Sequence, residues 1–184
     1  TPSPTTTPTP PPSPTPSPLP PAILYVVSAR AAPDATHVTV EGILTVPLGS
    51  LEDGRGGFLQ DATGGIALLL PAASTELLAE GVVVRAAGTI DDRYAQRTIR
   101  LDGPPAALGS TELPAARAIA TGDAGEALEG QAVIVTGAIV ETPSVLTGGL
   151  SLLVDDGPLL HRLVVSGAAR VGPLLAAADA LIAA

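Results

Sequence analysis

The residues best suited to hold a ligand are Arg55, Phe58, Arg93, Tyr94 and Arg97, with Gln60 and Leu69 beside them. Two aromatic rings offer stacking faces, and three guanidinium groups offer contacts to phosphate. That combination is what single-stranded nucleic acid requires, with each stacked base worth roughly 1–3 kcal/mol. The supply is thin. The chain has one Phe and two Tyr, and Asp91 and Asp92 adjoin the arginine cluster. The alternative is that Phe58 and Tyr94 are partly buried packing residues and the arginines are solvated.

Other chemistries find less support. The chain has no Cys, which removes disulfides, thiolate metal sites and Cys nucleophiles together. His37 and His161 stand alone, whereas zinc needs three or four ligands. Asp91-Asp92 and Asp155-Asp156-Gly157 lack the alternating oxygen ligands of a calcium loop and read as turn acids. The glycine-rich stretch from Gly49 to Gly57 lacks the Gly-Lys-Ser/Thr ending of a phosphate loop and reads as a hairpin loop. No nucleophile elbow or other triad-bearing motif is present. The expectation is a protein with no catalytic residues, no metal and no cofactor.

The elements that must position the candidate residues read as strands. His37–Val46 alternates apolar and polar residues, then turns apolar, with Pro47, Gly49 and Ser50 as turn signals. Gly57–Asp61 is a second strand, Ala62–Gly65 a tight turn and Ile66–Leu70 a third strand. Ser74–Glu80 reads as a short helix ended by Gly81. Val82–Ile90 is a fourth strand, Asp91–Tyr94 a hairpin loop and Gln96–Leu101 a fifth strand. Five strands with a helix between the third and fourth is the order of an OB barrel. In such a barrel Leu59, Ile66 and Leu68 face the core, while Phe58, Gln60, Ala67 and Leu69 face outward.

A second pass begins near residue 109. Gln131–Val140 matches the first strand, with Gly137 in the place of Gly42. Leu150–Asp156 matches the second, with Asp155 in the place of Asp61, so that Leu152 and Val154 replace Phe58 and Gln60. Leu160–Val165 is a third strand, and Pro173–Ala184 covers the helix and the start of a fourth strand. The offsets of 95 and 94 residues indicate an internal repeat. The expected architecture is all-β: two tandem five-stranded OB-type barrels, over 23–108 and 109–184, the second incomplete. A barrel lacking two strands cannot close, so further domains of the polypeptide are expected beyond Ala184.

Residues 1–22 are Pro, Thr and Ser apart from Leu19 and Ala22. This segment reads as a disordered linker or stalk, extended as polyproline II, and its composition points to an extracellular or cell-surface location. A cytosolic disordered linker is the alternative. The net charge of −9 gives no basic footprint for tracking phosphates. The apolar tail from Val171 to Ala184 is 14 residues long and contains Asp179, too short to span a bilayer.

The runs ILYVVSARAAPDATHVTVEGILTV, GGFLQDATGGIALLLP and GVVVRAAGTIDD resemble OB-fold repeat modules of secreted bacterial proteins. Such modules accompany extracellular nucleases and lamin-tail-type surface proteins. EALEGQAVIVTGAIVE and SLLVDDGP resemble another copy. The resemblance covers about residues 23–184 and implies an accessory, non-catalytic role, in some members nucleic-acid binding. Single-stranded nucleic acid is therefore one expected partner. A structural spacer presenting another domain away from the cell surface is the competing expectation, and an oligosaccharide or another polymer is a third.

Overall fold

The computed structural model describes residues 21–146, 149–157 and 160–166. The proline-rich segment up to residue 20 and the helix and strand start expected over Pro173–Ala184 lie outside them.

The described chain is mostly β. It opens with β1 (Ile23–Leu24), a short helix α1 (Val26–Ala31) and the long strand β2 (His37–Leu51). Strands β3 (Gly56–Gln60), β4 (Gly65–Leu69), β5 (Val82–Arg93), β6 (Gln96–Leu101) and β7 (Ala106–Ser110) follow. One sheet joins them in the order β1-β2-β3-β4-β6-β5-β7, and β2 pairs with β5 as well. The sheet thereby bends into a partly closed ring. All pairs within the ring are antiparallel except β4 with β6.

β2 makes the ring possible. Its first half, His37–Ile43, pairs with β5, and its second half, Ile43–Leu51, pairs with β3. Within the second half the register against β3 shifts twice, after Leu44 and after Val46. Such bulges bend a strand and raise its twist. Pro47 and Gly49, expected to end the strand, lie inside it, where a bulge tolerates a residue with no amide donor. The turn comes later, with Glu52, Asp53 and Gly54 all at positive φ. Leu44, Leu59, Ile66, Leu68, Ile90 and Ile99 are nearly or wholly buried inside the ring, and Val26 and Ala29 of α1 pack onto the same core.

Three elements differ from expectation. Ser74–Glu80 is not a helix. The Leu78 backbone pairs with that of Leu48 instead, by bonds of 3.0 and 3.3 Å, and the Ser74 hydroxyl bonds Glu76 in a local turn. A seven-residue helix carries the full cost of nucleation for few internal bonds, so the strand contact prevails. The hairpin after β5 turns at Tyr94–Ala95 rather than over Asp91–Tyr94, because Asp91 and Asp92 pair with Thr98 and Arg97. Tyr94 and Ala95 sit at φ 57° and 61°, as a two-residue hairpin demands. Third, β7, unforeseen in the sequence, runs across residue 108 and pairs with Val82–Arg85 of β5.

The remaining strands are β8 (Arg117–Ile119), β9 (Val133–Val135), β10 (Ala138–Ile139), β11 (Ser144–Leu146), β12 (Gly149–Asp155) and β13 (Leu160–Ser166). Their registers parallel those of the ring. Ile43 pairs with Gln60 and Ala138 with Asp155, so both members are displaced by 95. Leu59–Ile66 and Val154–His161 show the same displacement, as do the parallel pairs Leu24–Val40 and Ile119–Val135. A Cβ at Gly42 would meet Leu59 at 2.6 Å, and one at Gly137 would meet Val154 at 2.6 Å. The strand expected over Gln131–Val140 is broken between β9 and β10.

Candidate functional site

The β3–β4 face lies between two turns, and the turns supply its charged groups. On β3, Leu59 enters the core while Phe58 and Gln60 are half-buried on the opposite side. Phe58 pairs with Ala67 across to β4. Ala67 and Leu69 point to the Phe58 side as expected, but they are covered, with only 6% and 5% exposure. A hollow of about 210 Å³ opens here, lined by Phe58, Leu69, Glu52, Arg93, Tyr94 and Thr98 among others.

Arg93 stands at the end of β5 and donates from Nη1 to Glu52 Oε2 at 2.7 Å, joining the two turns. The Glu52 carboxylate raises the Arg93 pKa above its ordinary value, so the guanidinium keeps its charge. That guanidinium also lies 4.9 Å from the centroid of the Tyr94 ring, at a distance where cation–π attraction operates. Tyr94 is 86% exposed. The hollow therefore combines an apolar floor, a bridged Arg–Glu pair and one presented aromatic face.

Four of the expected site residues meet here: Phe58, Leu69, Arg93 and Tyr94. Three do not line the hollow. Arg97 donates to the carbonyls of Arg30 and Ala32 (the former at 3.2 Å) and to the Asp34 carboxylate, closing the C-terminal end of α1. The end carbonyls of a helix lack partners within it, and Arg97 supplies them. Gln60 accepts from the Ala132 amide at 2.9 Å. Arg55 stays within its own turn, its Nε 3.5 Å from the Glu52 carbonyl. Glu52, Gln96 and Thr98 line the hollow without having been foreseen. Gln96 and Thr98 were legible as same-face neighbours on β6, two residues apart. Glu52 carried no signal until the turns were placed.

On the corresponding face of the second region the expectation needs correcting. Leu152 and Val154 are core residues, with 1% and 9% exposure. The outward residue is Leu153, and it pairs with Arg162. The carboxylate that does the work of Asp61 is Asp156, not Asp155. Asp61 accepts from the Val26 amide at 2.9 Å, and Asp156 accepts from the Thr121 amide at 2.6 Å. Asp155 accepts from the Gly157 amide at 2.7 Å within its turn.

His37 contacts Asp102 at 2.7 Å on the surface, and Arg100 bonds Asp91. Among the described residues no group of three His, Asp or Glu could hold a metal, and no helix is long and apolar enough to cross a membrane. No family model matches the chain, and neither does any curated protein. Among solved structures, the hypothetical protein ygiW from E. coli is similar over 47% of this chain and 90% of its own. The identity is 19% and the TM-score 0.39.

Proposed function

We propose that this chain is a non-catalytic binding module built from two OB-type units, with its ligand face on the first. The strand order β2-β3-β4-β6-β5 returning to β2, with β4 and β6 parallel, supports the OB reading of the ring. The constant displacement of 95 residues supports reading the second region as a copy of the first. One observation carries the ligand face: the hollow on β3–β4 between the Glu52–Arg55 and Tyr94–Ala95 turns. OB barrels take oligonucleotides and oligosaccharides on this face, flanked by these loops. Single-stranded nucleic acid is the proposed ligand, stacked on Tyr94, with an accessory role in a secreted or cell-surface bacterial protein. Pairing of Arg93 with Glu52 and of Arg97 with Asp34 weakens the basic track, and that observation favours the second reading, a structural spacer.

The test is an anisotropy titration of the whole chain with a labelled oligothymidylate of about 12 nucleotides. Binding is expected at low salt, with a shallow salt slope of about −1 to −2, because at most two or three arginines reach phosphate. Tyr94→Ala should weaken it roughly tenfold, the loss of one stacked base. A complete absence of binding at low salt would leave the spacer as the function.

A further inference from the structure

We infer that residues 126–132 are a clasp that locks the second region onto the first and closes one end of the β3–β4 face. The clasp is centred on Arg30, in the last turn of α1, whose side chain is only 16% exposed. Its Nη1 donates to the Gly65 carbonyl at 3.2 Å and to the Glu129 carbonyl at 3.3 Å. Its Nη2 donates to the Glu126 carbonyl at 3.2 Å and pairs with the Glu126 and Glu129 carboxylates at 2.9 and 2.7 Å. One guanidinium thus binds the ring and both ends of a tight turn, matching its fixed fork of donors.

Two further contacts on neighbouring strands act with it. Gln60 Oε1 accepts from the Ala132 amide. Gly65 lies directly against Gly130: a Cβ on Gly65 would stand 2.0 Å from the Gly130 carbonyl oxygen, so any side chain there would displace the segment. Gly130 itself has φ 73°, a conformation that favours glycine. The chain leading into the segment is tied to the second region, because Thr121 bonds Asp156, the residue after β12, through both its amide and its hydroxyl.

Repeat geometry alone does not produce this contact. Displaced by 95 residues, Arg30, Gln60 and Gly65 become Gly125, Asp155 and Leu160. The counterparts offer no guanidinium, no neutral amide and no bare backbone, so the surface is particular to this joint. Its place matters for the ligand face. Gln60 and Gly65 form the strand pair two residues beyond Phe58 and Ala67, which is about 7 Å along the sheet. The clasp therefore walls off that end, and a ligand would extend only toward Tyr94. This last consequence rests on the proposed ligand face, whereas the clasp itself does not.

The absence of Cys allows a direct test by site-directed spin labelling. Nitroxides at D92C on β5 and V145C on β11, both exposed, report the distance between the regions in the whole chain by pulsed dipolar spectroscopy. A single narrow distance peak is expected, and it should be lost in Gly65→Val and in Arg30→Ala. Circular dichroism on each variant is the check that the ring is still folded. Should Gly65→Val fail to fold, Arg30→Ala and Gln60→Ala decide the matter: Gln60→Ala removes the side-chain bond to Ala132, and Arg30→Ala removes the bonds to Glu126 and Glu129 with one bond inside the ring, to the Gly65 carbonyl. A broad distribution in the unmodified chain overturns the clasp, as does a narrow peak unchanged by breaking it. Because no ligand enters this experiment, its failure is independent of the oligothymidylate titration.

Discussion

Among the described residues, the two regions share pairing registers and differ in how much they bury. In the ring, fifteen apolar residues from Val26 to Leu101 form one buried cluster. In the second region the buried cluster among the described residues is Leu150, Leu152, Val154 and Val165, with Ile139 packed partly against it. Hairpin register, the glycine that lets two strands approach and the aspartate that holds an entry segment recur at one spacing. All of these are decided by contacts within some 35 residues. Ring closure needs β2 and β5, whose paired residues lie up to 52 positions apart, as His37 and Thr89 do. Local pairing is thus separable from the core that a closed sheet creates.

The largest expected effect breaks this comparison at the core. Leu44 is wholly buried, and its counterpart Ile139 is only partly covered. Leu44→Ala should destabilise the ring by roughly 2–5 kcal/mol, since a close-packed core cannot collapse around the cavity. Ile139→Ala should cost clearly less. Urea unfolding followed by circular dichroism, with backbone amide exchange separating the regions, would show which one responds. Equal losses at the two positions would mean that the second region is as tightly packed as the ring.

Next in size come the two aspartates. Asp61 accepts from the Val26 amide at the start of α1 and from the amides of Thr63 and Gly64 and the Thr63 hydroxyl. It caps α1 from 35 residues away and pins the β3–β4 turn at once. Its negative charge also sits at the positive end of the helix. Asp61→Ala should cost about 1–2 kcal/mol, in the range of a strong helix cap. Asp156→Ala should loosen the second region and leave the ring unchanged, since its bonds to Thr121 fall outside the ring. Amide exchange at Val26 and at Thr121 would read the two effects independently.

Much of this was legible in residue types. Alternation placed the five ring strands to within a few residues, and it put Phe58, Arg93 and Tyr94 where the two turns converge. Period-two patterns survive because one face of each strand must be buried. The failures share a cause, namely that partners distant in sequence overruled local preference. Ser74–Glu80 has helix-forming residues, yet Leu48 claims the backbone of Leu78. Arg97 looked like a ligand residue, yet the bare carbonyls of α1 claim it. Asp155 and Asp156 are chemically equivalent in sequence, and only the Thr121 amide distinguishes them. That distinction moves the outward residue of the second region from Leu152 to Leu153. The clasp was not legible at all, because Arg30, Gln60 and Gly130 have no pattern in common and meet only after folding.

The smallest expected effect sharpens the comparison from the surface. Arg85 pairs with Glu41 directly across β5 and β2, at the pairing that closes the ring. The position 95 residues after Glu41 is Thr136, so the second region lacks this charge. That difference invites the view that the pair closes the ring. Its side chains are 50% and 33% exposed, however, so water and salt screen the attraction. Residues on the inner side of the same strands, Val40, Val84 and Ala86, are fully buried and do not depend on it. A double-mutant cycle with Glu41→Gln and Arg85→Gln should give a coupling below about 1 kcal/mol, falling further with added salt. A coupling several times larger would place ring closure in this ion pair instead of in the apolar face beneath it.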